Sequence, residues 1–130
     1  MERLIKKYLS RLGVGSAKVD LILPKKTYRP GENIKGCLKI IGGTIQQQVS
    51  RIDSDLVLIN QTKGTEKVVG FKTILSKRQI NSTEEHEILF AFKVPPEVPV
   101  SSDEISYRFD TKLTFNKGVE SMDCDIIKIL

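Results

Sequence analysis

The chain carries few residues with the means to do chemistry. There is one histidine, there are two cysteines, and two pairs of aspartates stand at alternate positions, Asp53/Asp55 and Asp123/Asp125. His86 lies in "TEEHEIL", flanked by Glu85 and Glu87. A general base needs a positioned nucleophile, and a metal ligand needs companions. In an extended strand Glu85 and Glu87 fall on one face and His86 on the other, so the three cannot converge locally. His86 therefore reads as a surface histidine near the start of a strand. "DSD" and "DCD" each set two carboxylates on one strand face, an arrangement that can bind calcium or supply an acid. Calcium wants more oxygen ligands from a flexible loop, and these aspartates sit inside apolar strands. The expectation is ion pairing across a sheet with Arg51, Arg108 or Lys112, because partial burial of a carboxylate requires such a partner.

The remaining motifs read as architecture. "IGGT" (41–44) lacks the following helix and the Lys-Ser/Thr pair of a phosphate cradle, so it is a turn. Tyr8, Tyr28 and Tyr107 do not cluster with basic residues as a base-stacking platform would. With one histidine and both cysteines in strands, no Ser-His-Asp or Cys-His arrangement is visible. Cys37 and Cys124 lack the close spacing of a metal knuckle or redox pair. Lys6, Lys7 and Arg11 interrupt any secretory apolar stretch. Both cysteines are expected as reduced, half-buried thiols of a cytoplasmic protein. No catalytic residue, metal or cofactor is expected.

The elements that must position these residues follow from periodicity. In "MERLIKKYLSRLGVGS" the apolar Leu4, Ile5, Tyr8, Leu9 and Leu12 recur at helical spacing, while Arg3, Lys6, Lys7 and Arg11 fall largely elsewhere. This predicts a short amphipathic helix over 1–13, stopped by Gly13 and Gly15. From residue 17 onward the period is two. "AKVDLIL", "NIKGCLKII", "QQQVSRIDSDLVLIN", "VVGFKTILSK", "EHEILFAFKV" and "MDCDIIKIL" all read as strands. The cleanest run is 104–116, with Ile105, Tyr107, Phe109, Thr111, Leu113 and Phe115 on one face. Pro30-Gly31 marks a tight reversal, and Gly36 a position where a side chain is too large. Six or seven strands separated by Gly, Pro and Asn predict an all-β antiparallel fold over 17–130, a sandwich of immunoglobulin-like type or a barrel. At 130 residues a single domain spanning 1–130 is the economical reading.

Composition narrows the partners. Charged residues make up 28% of the chain and the net charge is +5, which suits acidic proteins or anionic lipid head groups. The charge is dispersed rather than blocked, so nucleic acid is not expected as a partner.

Three stretches resemble a known family. "GVGSAKVDLIL" (13–23) and "YRPGENIKGCLKIIGGTIQQQVSRIDSDLVL" (28–58) resemble bacterial sporulation-control proteins with an arrestin-like fold. "FKVPPEVPVSSDEISYRF" (92–109) is similar to the segment of arrestin N-terminal domains where a proline-rich loop precedes a long strand. The resemblance implies a non-catalytic, cytoplasmic, arrestin-like sandwich that regulates sporulation or cell-cycle events through protein contacts. Members of the family generally carry a second, C-terminal region, so this chain reads as a short form or as the N-terminal domain of a longer protein. The expected contact surfaces are Arg3, Lys6, Lys7 and Arg11 of the helix, and Pro96, Glu97, Ser101 and Ser102 of the loop. Other proteins, acidic ones included, are the expected partners. The alternative is a peripheral membrane protein docking weakly on anionic lipid through its basic helix. A sheet edge offers a route to homo-oligomers.

Overall fold

The computed structural model describes residues 16–118 and 120–130. The helix read over 1–13, with Arg3, Lys6, Lys7 and Arg11, lies outside the described residues. The rest is all-β. Nine strands follow in order: β1 (Lys18–Ile22), β2 (Thr27–Tyr28), β3 (Asn33–Ile41), β4 (Gln47–Asn60), β5 (Thr65–Leu75), β6 (Gln79–Ile80), β7 (Glu85–Lys93), β8 (Ile105–Phe115) and β9 (Glu120–Ile129). They form a small sheet, β1-β3-β7, packed on a larger one, β2-β9-β8-β4-β5, with β6 pairing the start of β4. The expected sandwich is present. The count exceeds the expected six or seven because β2 and β6 are two-residue strands, too short to show a period. One pairing departs from the antiparallel expectation, since β2 runs parallel to β9.

The period-two runs bury the faces that alternation assigns. Along β8, Tyr107, Phe109, Thr111, Leu113 and Phe115 are all buried. Ile34, Leu38 and Ile40 of β3 and Phe90 and Phe92 of β7 close on them from the other sheet. Phe109 meets Phe90 and Phe92 edge-to-face, with ring centroids 5.8 and 5.1 Å apart. Such pairs add roughly 0.5–1.5 kcal/mol beyond the apolar area they remove from water.

Two glycines are placed by steric need. Gly31 has φ +83° and follows Pro30 in a turn closed by Glu32 N–H donating to Arg29 C=O at 3.0 Å. The proline fixes the first central residue and the glycine accepts the left-handed second one. At Gly36 an added Cβ would lie 2.6 Å from the carbonyl oxygen of Ile22, so only glycine lets β1 approach β3 there. Cys37 and Cys124 are unbridged and half-buried, and burial pushes both thiols up. Among the described residues no helix is long and apolar enough to cross a membrane.

Candidate interaction surface

The two aspartate pairs end up on opposite sides of the larger sheet. Asp53 and Asp55 occupy the odd positions of β4, whose even positions Ile52, Ser54 and Leu56 are buried. They therefore face outward, into an open groove of about 710 Å³ whose lining includes Arg51, Phe71, Asp110, Lys112 and Met122. On β9 the alternation runs the other way. Asp123 and Asp125 share the buried face with Ser121, Ile127 and Ile129.

On the outer face, ion pairs run both along strands and across them. Arg51 donates to both oxygens of Asp53 at 2.9 and 2.8 Å, two residues along the same strand, and Thr73 Oγ1 adds a third bond at 2.8 Å. The Arg51 guanidinium holds the Asp53 carboxyl below its usual range. Asp55 moves the opposite way. Burial raises it first, and the neighbouring Asp53 and Asp110 add to the shift. Asp110 stands directly across from Asp55 in the β4–β8 register, a like-charge juxtaposition. Arg108 relieves Asp110. Its Nε reaches both Asp110 oxygens at 2.9 and 3.0 Å, while its two terminal nitrogens grip Glu66 at 2.9 and 2.6 Å. This single guanidinium fastens β8 to β5 over the top of β4, and it lowers Glu66 in turn. Lys112 pairs with Glu120 at 3.5 Å.

The expected partners are thus corrected in detail. Arg51 does meet Asp53, but along the strand. Arg108 takes Asp110 and Glu66. None of the three cations reaches Asp123 or Asp125 in these pairs, because those aspartates lie on the far face of the sheet. Asp123 instead serves the core. Its Oδ2 accepts the Leu21 N–H of β1 at 2.7 Å, joining the two sheets. Ser54 and Thr111 share a buried hydroxyl contact at 2.9 Å in the same cross-strand row. A polar row of Ser54, Thr111 and Asp123 therefore crosses the interior, each of the three hydrogen-bonded as burial requires.

The loop after β7 is anchored more firmly than its sequence shows. Pro96 and Glu97 are exposed. Ser101, expected at the contact surface, is bonded to β9: its N–H donates to Ile129 C=O at 2.6 Å, and its Oγ accepts Ile129 N–H at 2.9 Å. Ser102 Oγ accepts the N–H groups of Glu104 and Ile105, both at 3.2 Å, so it is the true turn residue. Tyr107 OH donates to Pro99 C=O and pins the loop from beneath. Of the four loop residues singled out, Pro96, Glu97 and Ser102 remain at the surface, while Ser101 is a clamp.

His86 is likewise structural in its contacts. Arg78 has only donors, so His86 Nδ1 accepts from it at 3.0 Å and Nε2 donates to Glu84 at 2.8 Å. The histidine bridges the turn before β7 to the strand itself. Among the described residues no group of three His, Cys, Asp or Glu is arranged to hold a metal ion.

The signal that sequence reading missed is apolar and exposed. Phe71 is 72%, Leu75 76% and Val68 51% exposed, all on the outer face of β5. Met122 and Ile126 stand exposed on the same face of β9. The alternation in "VVGFKTIL" was legible, but not that one of its faces would stay uncovered.

Known proteins align with this architecture. The family model described as SpoOM protein matches residues 5–130. The sporulation-control protein spo0M of Bacillus subtilis (strain 168) is 33% identical over 131 residues, covering 94% of this chain and 50% of that protein. The crystal structure of Spo0M, sporulation control protein, from Bacillus subtilis superposes with a TM-score of 0.79 at 29% identity, over 89% of this chain and 50% of that one. A Niemann-Pick type C2 protein from Japanese carpenter ant superposes with a TM-score of 0.62 at 14% identity, over 93% and 98%, a likeness of fold alone. The chain spans about half the length of the curated relative it matches.

Proposed function

The chain belongs to the SpoOM protein family, and from that membership we propose a non-catalytic regulatory module that acts in the control of sporulation by contacting other proteins. On this reading residues 1–130 act as one sandwich unit in the cytoplasm. The observation that carries it is the outer face of the larger sheet. Phe71, Leu75, Met122 and Ile126 stand in solvent among ion pairs that are already satisfied. Apolar side chains rimmed by paired charges are the usual make-up of a contact surface. The relative's name, sporulation-control protein, supports the process.

Affinity capture from cells entering sporulation tests this reading. The double change Phe71→Ser and Met122→Ser leaves the core untouched, so the protein folds as before and loses its partners. Recovery of the same partners by the variant would sink the proposal for this face.

A second reading rests on the helical spacing of Leu4, Ile5, Tyr8, Leu9 and Leu12 beside Arg3, Lys6, Lys7 and Arg11. It predicts flotation with anionic vesicles at low salt and release at raised salt, because exposed charges are screened. No flotation at low salt ends it.

A further inference from the structure

The edge of β5 carries an inference that rests on the protein-contact reading above and gives it a partner chemistry. β5 is the terminal strand of the larger sheet, paired with β4 from Thr65 to Leu75 along one side. No described strand pairs its other side. Eleven residues, interrupted by one bulge at Val69, thus present main-chain donors and acceptors in two short rows over a length of roughly 36 Å. Protein sheets normally shorten, cover or charge such an edge.

The lysines of this edge lie on one face only. Lys67 and Lys72 fall on the inward-directed face, opposite Leu58 and Ser54. Lys63 precedes the strand and Lys77 follows it, and all four lysines are exposed. None enters an ion pair among the described residues, whereas Glu66, the acid of this strand, is already held by Arg108. The opposite face shows Val68, Phe71 and Leu75 to solvent. A second copy of β5 would set lysines beside lysines, which the cross-strand rule disfavours. A strand alternating acid and apolar residues would instead lay its carboxylates by Lys67 and Lys72 and its apolar side chains by Val68, Phe71 and Leu75.

We infer that the free edge of β5 takes an extended, alternating acidic–apolar peptide segment of a partner protein as an added strand. Main-chain hydrogen bonds supply the adhesion, and the two faces of β5 supply the selection.

The test uses the whole 130-residue chain and two synthetic nine-residue peptides, one alternating glutamate with valine and the other lysine with valine. Amide hydrogen exchange is followed by NMR. The glutamate peptide slows exchange along Thr65–Leu75 and the lysine peptide does not. The double variant Lys67→Glu, Lys72→Glu weakens the glutamate peptide by about fivefold or more and gains binding of the lysine peptide, as expected when two exposed charges are reversed. Both lysines are exposed, so the variant folds. Three results overturn the proposal: no protection of β5, equal protection by both peptides, or protection of β5 that grows with protein concentration in the absence of peptide. If capture from sporulating cells still succeeds while β5 stays unprotected, only this edge is wrong and the regulatory-contact reading stands.

Discussion

Asp53 and Asp55 show how two identical residues on one strand face acquire opposite properties. Arg51 stabilises the Asp53 anion, whereas burial, Asp53 and Asp110 all disfavour the Asp55 anion. A carboxyl whose pKa is raised by folding binds its proton more tightly in the native state, so its contribution to stability falls as pH rises out of the ordinary aspartate range. Asp55→Asn therefore raises Tm at neutral pH, and the gain disappears in acid where the native Asp55 is already protonated. Asp53 has the opposite sign. Its stabilisation is present above the unfolded pKa and is lost as pH falls through the lowered native one, so Asp53→Asn lowers Tm at neutral pH. Thermal melts of both variants across acid and neutral pH check the pair, and a neutral-pH loss for Asp55→Asn would contradict this assignment. The sequence showed that these carboxylates share a face, because the period of a strand is two. It could not show that Arg51 would choose its neighbour along the strand over the opposite side of the sheet, which depends on rotamers and register.

The strands themselves were legible wherever their two faces differ in chemistry. β8 alternates cleanly, and its observed span, Ile105–Phe115, lies inside the run 104–116 that alternation assigns. β3 coincides with "NIKGCLKII". β9 was ambiguous, because Met122, Cys124 and Ile126 are as apolar as Ile127 and Ile129. The sheet resolves the ambiguity by burying Asp123, where an N–H of β1 needs an acceptor. That need lies 102 residues away in sequence, beyond any local pattern. β2 and β6 are held by their neighbours rather than by their own composition. Gly36 provides a test at this scale. Gly36→Ala must push β1 away from β3 or strain the strand, at a cost of about 1–3 kcal/mol. Urea unfolding measures it, and an unchanged midpoint would mean that the two strands separate freely. The exposed apolar face of β5 was hidden for a related reason: the sequence shows that a face is apolar, not whether anything covers it.

At the scale of the molecule, the two sheets are tied at several points besides the aromatic core. Asp123 reaches Leu21 of the small sheet, and Gly70 of β5 lies so close to Phe92 of β7 that a Cβ there would stand 2.9 Å from the ring. We therefore expect one cooperative transition, with far-ultraviolet circular dichroism and the fluorescence of the buried Tyr28 and Tyr107 changing together. Separate midpoints would show that the sheets unfold independently. β9 adds a constraint in time. It follows β1–β8 in sequence, yet it lies inside the larger sheet, between β8 and β2. Its Lys128 and Leu130 N–H groups close on Lys26 and Tyr28, and Ile129 closes on Ser101. During synthesis, β8 and β2 therefore leave the ribosome before the strand that joins them, and the sandwich can shut only once β9 is free of the exit tunnel.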